Sequence, residues 1–363
     1  MYPAFQRSIW DEWAQAIASP RGGEAQLATL AGAVRDWDTW LAELSAQGLA
    51  LAVWRAVRDT GIQQILPESV ATSLEGLLRE AVEKLGAFEG VIPAFAGPLK
   101  RARIEWVLLE APAACDAAGN AQQRPSFRIL VRPEALPGTV SSLSDEGWEC
   151  SDAGNMASRA RDMQQLTHGR HPECSLIVQS GLLPGIRLSE EESVWTALEE
   201  RPVEGCSVSV PGRGAALFHS ILRAFTEHRL EPPGVLLDVV QHAGRLDRAE
   251  WEVFLSLVRC TRTEEECWIA LRAAVLRQGL AVPESALECL LRHRPGVIRR
   301  RAALRALSAD PAATALHRMM LMPSNEQRDC YAESLLLSRS SGTPGAASLV
   351  RAAGSLLFSA SVP

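Results

Sequence analysis

The segment "HGRHPEC" brings His168, His171, Glu173 and Cys174 close together, and His-x-x-His beside a thiol is a set that could ligate zinc. A polar loop ahead of a strand accounts for the same residues and weighs more, so no metal is expected. His219, His228 and His242 fall in helical patterns, where satisfied core or surface histidines are the norm, and they are assigned no chemistry. Arg124 and Arg128 stand in "RPSFRILVRPEAL". They read as surface or interface arginines, or as a cationic pocket that takes an anion without metal. The most basic run, "RHRPGVIRRR" from Arg292 to Arg301, reads as a solvated helix end or a docking patch for an acidic partner. Gly-x-Ser-x-Gly, Gly-Lys-Ser and Gly-Lys-Thr do not occur, which removes the usual serine-hydrolase and phosphate-loop signatures.

These residues need elements to hold them. Trp37, Trp40, Leu41, Leu44, Leu51 and Trp54 recur at three- and four-residue spacings interrupted near Gly48, which predicts a helical hairpin ending at Gly61. Pro67 opens a further helix whose stripe runs through Val70, Leu74, Leu77, Leu78, Ala81 and Leu85. Pro93 and Pro98 predict a kink or a break. From residue 104 the period changes: "IEWVLLE" and "SFRILV" read as strands, "PEALPGTVSSLSDEGW" as a helix, and "WECSDAG" as a third strand. After an irregular polar segment, "ECSLIVQ" and "CSVSV" read as the fourth and fifth strands. Beyond Pro211 the chain turns helical again, with capping-box spacings at Asp247 and Glu250 and at Thr263 and Glu266. The expectation is an α+β fold: N-terminal helices over 1–66, a small mixed sheet core over 67–211, a helical bundle over 212–337 and a small-residue-rich tail over 338–363.

Composition restricts the function classes. The 363 residues are 47% hydrophobic, enough to bury one large core or two smaller ones, and the net charge of −6 supplies no field that steers the chain to nucleic acid. Nucleic-acid binding is therefore not expected. Eight cysteines, at 115, 150, 174, 206, 260, 267, 289 and 330, form no Cys-x-x-Cys pair and read as buried thiols of a reducing compartment. The start "MYPAFQRSIWDEW" lacks a signal-peptide pattern, and no apolar stretch approaches the roughly 18 residues of a membrane helix, so a cytoplasmic protein is expected.

Several stretches in order carry a resemblance. "LLREAVEKLGAFEGVIPAFAGPLKRARIEWVLLEA", "RPSFRILVRPEAL", "LLDVVQHAGRLDRAEWEVFLSLV", "AVPES" and "LMPSNEQRDCY" together resemble an uncharacterised bacterial nucleotidyltransferase family of the DNA polymerase beta-like superfamily, over roughly residues 36 to 350. The resemblance implies a nucleotidyltransferase-like core whose second strand reads Asp-Ile-Asp-Leu-Leu-Val. Asp-x-Asp is the spacing required there, because strand residues two apart share a face and both carboxylates reach one Mg²⁺. Aligned on "ILV", those two positions are Ser126 and Arg128. At an effective dielectric near 20, unit charges 4 Å apart interact by about 4 kcal/mol, so a guanidinium repels Mg²⁺ by roughly 8 kcal/mol where an aspartate attracts it. The family's Lys-Gly on the first strand reads Glu110-Ala111 here, followed by Pro112, which has no amide hydrogen to offer a phosphate. Arg124 keeps the family's arginine, and Glu173 stands near the third acid.

The resemblance thus implies a degenerate nucleotidyltransferase fold, a binding or partner subunit in a peptide natural product or surface polysaccharide context, with no cofactor. Its cleft would carry Ser126, Arg128 and Glu173 as vestigial positions, and Glu110, Ala111, Arg124 and Arg128 as ligand contacts for a nucleotide or other anion; a protein or peptide is the expected partner. Two alternatives stay open. One is an active enzyme using Mg²⁺ and an NTP through Glu110, Asp116 and Glu173; the other is a structural interaction module that binds through its helical bundle.

Overall fold

The computed structural model describes residues 8–19, 23–110, 126–150, 163–183, 191–203, 205–292, 297–307, 311–322 and 328. Four short helices begin it: α1 (Ile9–Ala18), α2 (Gly23–Gly32), α3 (Trp37–Ala46) and α4 (Ala50–Asp59). Ser8 and Asp11 form a reciprocal capping box on α1, and Asp36 caps α3 by accepting from the amides of Asp38 and Thr39. The predicted hairpin is present. Gly48 turns the chain between α3 and α4 with φ of +68°, a conformation that glycine adopts without strain. Trp13, Trp40, Leu44, Val53 and Trp54 bury one core with Val70 and Leu74 of α5 (Glu68–Glu89).

Pro98 corrects an expectation. The chain breaks near Gly90, and α6 (Ile92–Arg101) then runs through Pro98 without ending. A proline leaves the carbonyl four residues earlier without its helical donor, and here that carbonyl, on Ala94, accepts from the indole Nε1 of Trp148 at 3.3 Å. The lost backbone bond is replaced by a tertiary one.

The main sheet has the order β1-β2-β5-β4-β3, with β1 (Trp106–Glu110), β2 (Ser126–Val131), β3 (Trp148–Cys150), β4 (Met163–His168) and β5 (His171–Gln179). Only β2 and β5 run parallel; the other pairs are antiparallel, so the sheet is mixed. Alternation along the strands sorts the side chains into two cores. Phe127, Ile129, Val131, Leu166, Leu176 and Val178 face Phe95 and Leu99 of α6 and Leu136 and Leu143 of α7 (Leu136–Ser144). Val107, Leu109 and Leu130 face the other way, into the C-terminal helices.

Two strands escaped the sequence reading. β4 occupies what read as irregular polar sequence, because Met163, Gln165 and Thr167 lie on a half-exposed face and leave little apolar alternation. β6 (Leu198–Val203), a charged and mostly exposed edge, pairs with β7 (Cys206–Pro211) in a separate two-stranded sheet, so "CSVSV" is not part of the main sheet.

The C-terminal helices are α8 (Arg213–Thr226), α9 (Pro233–Ala243), α10 (Arg248–Thr261), α11 (Glu264–Gln278), α12 (Glu284–Arg292), α13 (Val297–Ala306) and α14 (Pro311–Leu321). The fold is therefore α+β. The Asp247–Glu250 capping box forms on α10. The Thr263–Glu266 box does not: Thr263 makes no side-chain cap bond, and Glu266 is buried against His317 at 2.8 Å. Burial at a helix pair overrides the local cap. The "RHRPGVIRRR" run also differs from the expected helix end, since Arg292 closes α12 while Arg299, Arg300 and Arg301 lie inside α13.

Among the contacts that join the first helices to the C-terminal ones, two are specific in geometry. Arg277 on α11 donates from Nε to Asp11 Oδ1 at 2.8 Å, from Nη1 to Leu230 O at 3.0 Å and from Nη2 to Glu231 Oε2 at 3.2 Å. Gly234, in the first turn of α9, sits where an added Cβ would meet Gln47 O at 2.7 Å and Gly48 O at 2.8 Å. Among the described residues no helix is long and apolar enough to cross a membrane. The tail over 338–363 lies outside the described residues.

Candidate functional site

Alternation on β2 puts Ser126, Arg128 and Leu130 on one face, toward the C-terminal helices. β2 pairs with β5 so that Ser126 stands beside Ser175 and Arg128 beside Ile177, while on the other side Arg128 stands opposite Glu110 across a register shift in β1. Ser126 and Arg128 thus share a face, as the aligned Asp-x-Asp spacing requires. Glu173 lies two residues before Ser175, a full repeat of the strand away from the level of Ser126, and so is not beside Arg128. The side chains of Glu110 and Glu173, and Ala111, Asp116 and Arg124 entirely, fall outside the described residues.

What faces Arg128 comes from α8. His219, Arg223 and Glu227 recur every four residues, so they form one stripe on that helix and its C-terminal cap. The guanidinium of Arg128 meets the Glu227 carboxylate in a two-point pair, Nη1 to Oε1 at 2.5 Å and Nη2 to Oε2 at 3.1 Å. Arg223 Nε reaches the same Oε2 at 3.6 Å. The Arg128 and Glu227 side chains are 14% and 17% exposed, so the pair is largely desolvated but keeps some solvent access.

The electrostatics follow from that crowding. Burial alone pushes the Glu227 carboxyl up, but the charge and hydrogen bonds of Arg128, with the charge of Arg223, bring it net below its usual range. Burial, then Arg128 and Arg223, drive the His219 imidazole down to about 3, so it stays neutral in this stripe. Glu227 lies at the C-terminal end of a helix, where the backbone carbonyls disfavour an anion, and it is the two arginines that hold it there.

The described β2 side chains on this face, a neutral hydroxyl at Ser126 and a guanidinium at Arg128, are poor ligands for a divalent cation. Among the described residues no group of three or more His, Cys, Asp or Glu side chains is placed to hold an ion. The "HGRHPEC" segment is the tight turn of the β4–β5 hairpin, with β5 already begun at His171. His168 Nδ1 accepts from the Arg170 amide at 3.1 Å, which leaves Nε2 to donate to Glu146 O at 3.1 Å, and its ring packs on Trp148. Both of its nitrogens are spent on backbone. Of the described cysteines, Cys174 and Cys267 are buried, Cys150 is exposed, and Cys206, Cys260 and Cys289 are intermediate, which corrects the expectation that these thiols lie in the core.

Glu227 and Arg223 were missed from sequence. The signal that could have found them is the four-residue repeat of His, Arg and Glu in "LFHSILRAFTEHR", polar positions in line on a helix whose other side is apolar.

A mixed sheet with one face turned to a helical bundle, and alternate positions of its second strand aimed into the join, makes this an α+β protein, a layout consistent with a nucleotidyltransferase-like fold. A family model described as an uncharacterised nucleotidyltransferase matches residues 33–278, and the chain belongs to that family. No curated protein and no solved structure matches the chain.

Proposed function

We propose that this chain is a non-catalytic member of its nucleotidyltransferase family, acting as a binding or partner subunit rather than transferring a nucleotide. The observation that carries the reading is the pairing of Arg128 with Glu227 on the strand face where metal-binding carboxylates are required. Nucleotide transfer needs Mg²⁺ to neutralise the triphosphate and the attacking oxygen. A cation fixed at Arg128 repels that ion, and the carboxylate that meets it, Glu227, is already engaged by two guanidiniums. The expected setting is cytoplasmic biosynthesis of a peptide natural product or a surface polysaccharide, with a protein or peptide as partner.

The test is calorimetric titration of the chain with ATP, GTP, CTP and UTP, with and without Mg²⁺, alongside a pyrophosphate-release assay. The reading expects no Mg²⁺-enhanced binding and no pyrophosphate. Metal-dependent release of pyrophosphate would instead point to an acid set that includes Glu110, Asp116 and Glu173.

A further inference from the structure

We propose that Arg128 and Arg223 form a binding site for a phosphate-type oxyanion, taken up without metal, and that Glu227 occupies this site as an internal ligand. The inference rests on the non-catalytic reading and deepens it by naming what the old groove recognises. Three observations of geometry and one of charge support it. The Arg128 guanidinium presents two nitrogens side by side to two oxygens, a geometry that suits a phosphate as well as a carboxylate. The same oxygen of Glu227 also lies near Arg223 Nε, so one monoanion serves two guanidiniums, and a dianion can pair with both. Glu227 sits on the C-terminal cap of α8, where a carboxylate is disfavoured by the helix, so its departure sacrifices only the arginine contacts that an incoming oxyanion restores. His219, held neutral, adds no competing charge to the stripe.

The exchange needs no chemistry beyond ligand replacement. Both side chains keep some solvent access, so Glu227 can give way and the oxyanion takes its two-point contact with Arg128. The unaltered chain then binds such an anion weakly, because its own carboxylate competes at an effective concentration set by the fold.

Calorimetric titration with inorganic phosphate, in metal-free buffer at constant ionic strength, tests this on the full chain. Glu227→Gln keeps the volume of the side chain and removes the competitor, so it is expected to bind phosphate at least about tenfold tighter than the unaltered chain, a gap of about 1.4 kcal/mol. Adding Arg128→Gln to that variant abolishes the gain. Glu227→Asp, which keeps the charge and draws it back by one methylene, guards against a folding failure and is expected to fall between the two. Phosphate binding unchanged in Glu227→Gln and Glu227→Asp alike, with both folded by circular dichroism, overturns the inference; so does a gain that survives loss of Arg128. Neither result bears on the non-catalytic reading, which fails only on metal-dependent pyrophosphate release.

Discussion

Arg128 on the second strand and Glu227 at the end of α8 are 99 residues apart in sequence and meet through two hydrogen bonds, at 2.5 and 3.1 Å. That contact joins the second strand of the sheet to the C-terminal helices. On the non-catalytic reading proposed above, the arginine is more than an isolated substitution. It meets a carboxylate from the opposite side, so the charge across the join is organised around a fixed cation.

The pair should be energetically coupled. Arg128→Met and Glu227→Met each leave a largely buried charge without a close partner and are expected to cost about 2 kcal/mol, below the usual cost for a fully buried pair because both side chains keep some exposure. The double variant should cost clearly less than the sum of the two. Urea unfolding of the three variants checks this, and strict additivity would show that the contact carries no coupling.

Acid should weaken the fold in two overlapping windows. His219 has its pKa depressed from 6.5 to about 3 in the folded chain, so the unfolded chain binds more protons between those values and stability falls as pH drops through that range. Between pH 7 and pH 4 this amounts to about 3 kcal/mol. Glu227, whose folded pKa lies below its ordinary 4.5, contributes stability that is present above 4.5 and lost as pH falls below it. Urea midpoints measured from pH 7 to pH 4 should decline, and His219→Leu should flatten the part between 6.5 and 4.5. An unchanged slope in that variant would place the titration elsewhere.

Arg277 ties α1 to the C-terminal helices. Its Nε contact to Asp11, a fully buried carboxylate, makes Arg277→Met expensive, at about 3 kcal/mol. Hydrogen exchange should show the amides of Ile9–Ala18 losing protection more than those of α8. Uniform loss across both helices would mean that the residue supports the whole fold rather than this junction.

Gly234 predicts a steric effect at the second junction. Its Cα approaches the α3–α4 turn so closely that Gly234→Ala must push Gln47 and Gly48 away, at an expected cost of about 2 kcal/mol. A thermal melt within about half a kcal/mol of the unaltered chain would show that the turn yields freely.

Much of this architecture was legible in the sequence where the periodicity was strong. The α3–α4 hairpin, the helix opened by Pro67, β1, β2 and β5, and the cap at Asp247 all follow from local pattern, as does the placement of Ser126 and Arg128 on one strand face. What escaped depends on distant partners. β4 is polar because one of its faces is half-exposed; Pro98 is tolerated because Trp148 lies near in space; and Glu266 leaves its cap for His317 on a helix 51 residues further on. Glu227 escaped for the same reason. Nothing near it in sequence shows that it will meet β2, although its line with His219 and Arg223 marks that side of the helix as unusual.

The most direct measurement is a Mn²⁺ titration, followed by calorimetry, of the unaltered chain and of the double variant Ser126→Asp with Arg128→Asp. The unaltered chain should show no saturable Mn²⁺ binding, and the double variant, with two aspartates sharing a face near Glu227, should gain it. Tight one-to-one Mn²⁺ uptake by the unaltered chain, or no gain in a folded double variant, would contradict the claim that this paired guanidinium stands where the metal belongs.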